Sequence, residues 1–327
     1  MSKRLRILLD GYIDGNFGDD LMLYLVANGL KEHKLYITSP KLDIAEYTEE
    51  KIGFDRYLKV TGSGFLIHNN KGIAYRMRDM YLEKRYSKNR AVINCNISGF
   101  VNCVAEKVIQ KQISGYDFVT VRDRYSYEYI TKNIPNVKCE KYPDMVLSLS
   151  DEMIPNVHSE NALGISVHKS ADINLLAEIA DRFINETGKN VCLLCFNTGL
   201  EDDVSVANQV YDIMKNKHMT EIIRYTDINY MLKNIKRCRA IWGIRFHSTI
   251  LALRMGIPVV PIAYSDKTKN ALDEIGYSGK IYDVNNIDTD EVLKSILNAV
   301  PYKLDGNIIK SAENHIKRFD EYIKRQC

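Results

Sequence analysis

No apolar run in this 327-residue chain approaches the roughly 20 residues that crossing a bilayer requires. The longest, such as "VCLLCF" and "AIWGI", have the length of buried strands. A basic start, "MSKRLR", leads into an apolar run that stops at Asp10, too short for the core of a secretory leader. The seven cysteines fall at irregular spacing, which excludes a disulfide framework and suits a reducing compartment. These absences read as a cytoplasmic protein, with attachment to the inner face of the membrane left open. Charge of one sign is also scarce: 45 Lys and Arg against 42 Asp and Glu leave a net +3, too little for a dedicated nucleic-acid binder. The sequence has no low-complexity tract, no short-period repeat and no cluster of His, Asp and Cys suited to a metal.

What is present is a globular balance, 45% hydrophobic and 27% charged, at a length that favours two domains of about 150 residues each. Strand-like and helix-like stretches alternate. "RLRILLDGY" is a strand followed by "IDGNFGDDLMLYLVANGLK", a loop entering an amphipathic helix with Asp19 and Asp20 near its start. "YLKVTGSGFLI", "RAVINCNISGF" and "DFVTVRDRYSYEYITKN" continue the series. After the turn-rich "SLSDEMIPNVHSENA" a second series opens with "ALGISVH", a helix ending near Gly188, "KNVCLLCFN", "EDDVSVANQVYDIMKN", "EIIRYT" and "DINYMLKNIKRC". The reading is an α/β protein with parallel sheets, in domains 1–155 and 156–327, whose final stretch "DGNIIKSAENHIKRFDEYIKRQC" is a helix packing back on the first.

The stretch "IWGIRFHSTILALRMGIPVV" sets Arg245 and His247 at a strand-to-helix turn, with Ser248 read as the N-cap and Gly256 as the stop. Open α/β sheets bind ligands at such turns, and a helix N-terminus beside an arginine fork suits phosphate or carboxylate. His247 would carry a proton near neutral pH; the other reading is a buried polar pair satisfied by backbone carbonyls. Lys267, at the next strand-to-helix turn, either reaches the same anion or is a solvated lysine. The glycines of "GYIDGNFGDD" miss the dinucleotide spacing, and Asp19 and Asp20 would repel a phosphate. With Asn16 they suit sugar hydroxyls, or else they cap a helix. Arg122, Asp123 and Arg124 read as an ion pair fixing a turn, Cys192 and Cys195 as core, and the tyrosines and cations of Tyr75 to Arg90 as a solvated helix face.

Taken in order, "GYIDGNFGDD", "VTGSGFLI", "VTVRDRYS", "YPDMV", "GISVH" and "IWGIRFHSTILALRMGIPVVPIAYSDKTKNALDEIG" resemble the polysaccharide pyruvyl transferase family over nearly the whole chain. The last, an R-x-H followed by a helix, G-x-P and Y-x-x-K, is the most specific. The resemblance implies two Rossmann-like domains facing across a cleft, as in GT-B glycosyltransferases. It implies phosphoenolpyruvate as donor and a saccharide, free or lipid-linked, as acceptor, joined as a pyruvate ketal. Arg245 and His247 match the family's donor motif, Arg122 matches a further basic position, and Lys267 matches by spacing alone. One departure is Thr61, Gly62, Ser63 and Gly64, where the family commonly carries a longer glycine run.

On this reading Arg245, the helix opened by Ser248 and Lys267 bind the donor in the C-terminal domain, with Arg122 as a further basic contact from the N-terminal domain. His247 is the acid or base, and Asp19 or Asp20 handles the acceptor hydroxyl from the N-terminal domain. Neither metal nor cofactor is demanded, since arginine and lysine supply the charge. Two alternatives share the fold: a nucleotide-sugar glycosyltransferase and a non-catalytic partner in polysaccharide biosynthesis.

Overall fold

Residues 4–50, 52–61, 65–67 and 69–326 are described by a computed structural model, and within them strands and helices alternate along the chain. The chain divides into two units. Unit 1 comprises Met1–Ile13, Asp19–Ser148 and Ile309–Cys327, and unit 2 comprises Asp14–Gly18 and Leu149–Ile308.

In unit 1, β1 (Arg6–Asp10), β2 (Lys34–Ile37), β3 (Glu46–Tyr47) and β4 (Arg56–Val60) precede a small two-stranded sheet of β5 (Phe65–Ile67) and β7 (Ile97–Phe100). Between and after these come β6 (Arg90–Cys95), β8 (Phe118–Val121) and β9 (Cys139–Lys141). The main sheet runs β3-β2-β1-β4-β6-β8-β9, every neighbour parallel. Helices α1 (Phe17–Gly29), α2 (Asn70–Tyr86), α3 (Cys103–Ile113) and α4 (Arg124–Asn133) connect the strands, α1 beginning on the last two residues of the unit 2 segment. Strands buried on both faces need continuous apolar runs, and Ile7, Leu8, Leu9, Val92, Ile93 and Val119 supply them.

Unit 2 repeats the architecture with β10 (Ala162–Ser166), β11 (Val191–Cys195), β12 (Thr220–Arg224), β13 (Cys238–Gly243), β14 (Val259–Ala263) and β15 (Tyr282–Asp283). Their order, β12-β11-β10-β13-β14-β15, is all parallel. Helices α5 (Ile173–Thr187), α6 (Asp203–Ile213), α7 (Ile228–Lys236), α8 (Phe246–Arg254), α9 (Asp266–Glu274) and α10 (Thr289–Leu297) cover it. Trp242, Phe183, Ile165 and Leu193 lie in the core beneath. Gly188 closes α5 at φ 63° and Gly256 follows α8 at φ 65°, the left-handed conformation that glycine adopts at least cost. In both units the strand order reverses beside the first strand, between β1 and β4 and between β10 and β13, which is where open sheets take ligands.

The tail departs from its sequence reading. It forms two helices, α11 (Gly306–Ala312) and α12 (Asn314–Lys324), instead of one. In unit 1 α12 packs Phe319, tilted, and Tyr322, stacked, on Phe118, with ring centroids 5.8 and 5.1 Å apart. Its buried His315 bridges Thr120 Oγ1 at 2.6 Å and the Pro143 carbonyl at 2.9 Å. Burial lowers the pKa of this imidazole to about 4, so it is neutral at pH 7. Among the described residues no helix is long and apolar enough to cross a membrane.

Candidate functional site

The turn between β13 and α8 is fastened to the neighbouring strand by one hydroxyl. Ser166, the last residue of β10, accepts the amides of Ile244 at 2.8 Å and Arg245 at 3.1 Å and lies 2.7 Å from the Ser248 hydroxyl. Ser248 Oγ in turn donates to the Arg245 carbonyl at 2.6 Å. With these bonds made, the helix opens three residues earlier than the sequence suggests. Arg245 holds the N-cap position and Ser248 lies inside the first turn, a correction to its reading as the cap. A Cβ on Gly243 would stand 2.4 Å from Thr249 Oγ1, so the bare backbone lets α8 start tight against β13.

The guanidinium of Arg245 is buried and closed on two carboxylates of unit 2. Asp203 takes it as a fork, Oδ2 accepting from Nε at 3.0 Å and Oδ1 from Nη2, while Glu201 accepts from Nη1. Asp203 also accepts the amides of Phe196 at 3.0 Å and Asn197 at 2.9 Å, so it is a fixed part of the scaffold. Glu201 reaches in from the surface, its side chain 37% exposed. Burial raises the Asp203 carboxyl, with Arg245 opposing, whereas at Glu201 the burial effect is outweighed by Arg245 and the acid is strengthened. The anion fork read from the sequence therefore carries internal anions, and an incoming anion would have to replace Glu201.

His247 stands beside it, 7% exposed, edge-on to Phe246 at 4.9 Å. Lys267 lies over the Phe246 ring, its ammonium 4.8 Å from the centroid. The strap Asp14–Gly18 runs along the same unit: Thr198 donates to the Gly15 carbonyl at 2.9 Å, Leu200 to Asp14 Oδ2 at 3.1 Å, and Phe17 packs on Phe196 and Tyr225. Gly18 then presses on the imidazole so closely that a Cβ would fall 1.8 Å from His247 Nδ1. His168, just past β10, stacks on Tyr264 at 4.6 Å and sits with Nε2 4.0 Å from Glu201. Its Nδ1 accepts the Ser170 amide at 3.1 Å, which leaves the proton on Nε2. Burial, reinforced by Arg245, brings its pKa down to about 4.

The remaining residues singled out by sequence are distributed differently. Asn16 belongs to the strap in unit 2, where its side chain accepts the Gly18 amide at 3.1 Å. Asp19 and Asp20, buried in the first turn of α1, belong to unit 1, so the acidic loop that the sequence presents as one group divides between units. Arg122, buried in unit 1, bonds Asp144 and Asn96, both at 2.8 Å, and Asp123 instead caps α4 through the Ser126 amide. Its ion pair is thus with the distant "YPDMV" segment and not with its neighbour. Cys192 and Cys195 bond to Arg237 and Asp203, from different surroundings of β11. Among the described residues no group of His, Cys, Asp and Glu is arranged to hold a metal. Gly62, Ser63 and Gly64 lie outside the described residues.

Sequence reasoning missed Ser166, His168, Glu201, Asp203 and Gly18. The available signals were "ISVH" at the C-terminal end of a strand and the acidic "LEDD" at a strand-to-helix turn, both at the edge where Arg245 lies.

The sequence model of the polysaccharide pyruvyl transferase family matches residues 16–266. No curated protein matches the chain. Among solved structures, it is similar to UDP-GlcNAc 2-epimerase from Methanocaldococcus jannaschii, with 12% identity and TM-score 0.63 over 98% of this chain and 100% of that one. The UDP-GlcNAc 2-epimerase from Neisseria meningitidis, bound to UDP-GlcNAc, gives 12% identity and TM-score 0.60 over the same shares. Anabaena HepE in complex with UDP gives 9% and 0.57, over 99% and 100%. At these identities the likeness is one of fold, two parallel α/β units of the GT-B-like type.

Proposed function

Since the chain belongs to the polysaccharide pyruvyl transferase family, we propose that it transfers the enolpyruvyl group of phosphoenolpyruvate to a surface or exopolysaccharide sugar as a pyruvate ketal. The observation that carries the reading is the R-F-H turn at the strand-order reversal of unit 2, fastened by Ser166 and flanked by Lys267. In the reaction a proton adds to the methylene carbon of the donor, making a methyl group and leaving positive charge on the adjoining carbon. A sugar hydroxyl bonds to that carbon and loses its proton; the bond to phosphate breaks, and a second hydroxyl closes the ketal. One proton is taken up and two are released, the surplus leaving with phosphate.

In this scheme Arg245 and the N-terminus of α8 hold the carboxylate and phosphate, with Lys267 supplying a second cation. The donor carboxylate takes the place of Glu201, and Asp203 keeps the fork aimed while the exchange occurs. His247 carries the proton. Ser248 and Asn16 position the turn and the strap, and Arg122 holds the segment around Asp144. Unit 2 is the donor side, and unit 1, with Asp19 and Asp20, is the side of the acceptor, an oligosaccharide or lipid-linked saccharide.

The test is incubation with phosphoenolpyruvate and a panel of synthetic and lipid-linked saccharides. Expected are phosphate release and a pyruvyl increment in glycan mass, both lost in His247→Ala. Intact donor with every acceptor would favour a non-catalytic role. A melting temperature raised by a nucleoside-diphosphate sugar, with no response to phosphoenolpyruvate, would favour a glycosyltransferase.

A further inference from the structure

Unit 1 has a cavity of about 500 Å³ at its own strand-order reversal, between the C-terminal ends of β1 and β4 and beneath α2. Its size falls within the roughly 300–1,000 Å³ of small-molecule sites. Asp10 and Lys59 are register partners on adjacent parallel strands, and Tyr57, two residues before Lys59, faces the same side. The Lys59 ammonium donates to Asp10 Oδ2 at 3.1 Å and Glu83 Oε1 at 3.0 Å, while Tyr57 donates its hydroxyl to Asp10 Oδ2. Glu83, buried, is saturated by Lys59, Gln112 at 3.0 Å and Tyr116 at 2.9 Å. Burial acts against the charge on Lys59, but Asp10 and Glu83 outweigh it and hold the ammonium charged.

The wall facing the open space has a definite chemistry. Asp10 is one-third exposed, with Oδ2 fixed and Oδ1 left to accept. Lys59 retains one N–H beyond its two carboxylates. Tyr75, 58% exposed on α2, offers a ring face at the rim. Among the described residues the charge in the lining amounts to Asp10, Asp79 and Glu83 against Lys59 and Arg76, an excess of one negative, which disfavours a phosphate. Fixed acceptors beside a donor and an aromatic face suit an uncharged polyol with one apolar side.

We propose that this cavity binds one pyranose of the acceptor glycan. Asp10 accepts from its adjacent hydroxyls, Lys59 donates to a neighbouring oxygen, and Tyr75 covers the ring face. The assignment rests on the saccharide acceptor of the proposed function and assigns its first contacts to residues other than Asp19 and Asp20.

The experiment titrates the full chain with a series of methyl hexopyranosides and follows saturation transfer to the sugar ring protons. At least one glycoside binds in the millimolar range, and Asp10→Asn and Tyr75→Ala each weaken it about tenfold, the scale of a lost charged hydrogen bond at Asp10 and of a lost aromatic contact at Tyr75. His247→Ala leaves that binding unchanged, and inorganic phosphate does not displace the sugar. Tyr75 is exposed, so its variant keeps the test open even if Asp10→Asn fails to fold. Saturation transfer from no glycoside, binding indifferent to both variants, or displacement by phosphate overturns the proposal. Pyruvyl transfer is read separately by mass. Transfer with an unchanged acceptor KM in both variants sinks the cavity and spares the function, whereas Asp10-dependent sugar binding without any transfer does the reverse.

Discussion

Gly18 and His247 meet at a distance that permits no side chain, so the position of the imidazole depends on a residue far away in sequence. Gly18→Ala should push the ring aside. We expect kcat to fall about a hundredfold, as for an ångström-scale misplacement, with a stability cost of roughly 1–3 kcal/mol for the overlap; an unchanged kcat would disconnect His247 from the chemistry. Glu201 permits the opposite kind of change. With Glu201→Gln the carboxylate that competes for Arg245 is gone, so phosphoenolpyruvate should bind several-fold more tightly in calorimetry, and weaker binding would mean that Glu201 helps the donor. Arg245→Lys keeps the charge but loses the fork held by Asp203, and a raised donor Kd is expected.

At the scale of elements, the alternating strands and helices were legible because each carries its own local period. "AIWGI" is apolar throughout, and α7 shows Met231, Leu232 and Ile235 on its buried face. The start of α8 was not legible, since Ser248 has the chemistry of a cap but is claimed by Ser166, 82 residues away. The same reason hid Asp203 and Glu201 from any local reading of Arg245. The tail read as one helix because its hydrophobic spacing continues across the break between α11 and α12. Within α12, His315 is the single side chain that ties Thr120 to the Pro143 carbonyl. His315→Ala should cost about 2–4 kcal/mol, from a buried void and stranded polar partners. Urea unfolding monitored at Tyr322 and Phe118 would measure it.

For the molecule as a whole, His168 in unit 2 and His315 in unit 1 both have their pKa lowered to about 4 by burial. The unfolded chain, with histidines near 6.5, binds more protons than the folded one between about pH 4 and 6.5. The stability these neutral rings permit is therefore whole above about pH 6.5 and is lost as the pH falls towards 4. Each ring contributes at most about 3 kcal/mol. Calorimetry should show melting declining through that window, with a shallower slope in His315→Gln; a flat profile would contradict the buried neutral assignment. Two units make more than one transition the natural expectation.

Unit 1 is also discontinuous in sequence, since Ile309–Cys327 completes what Asp19–Ser148 begins. During translation, at roughly 5–20 residues per second, the intervening Leu149–Ile308 takes on the order of ten seconds to emerge. Throughout that interval the Phe118 ring and Thr120 on the growing polypeptide lack α12, so the nascent first half presents a sticky face to the ribosome's surroundings. Slow elongation or a shortage of chaperones would lower the yield of this protein before any completed molecule had a chance to unfold.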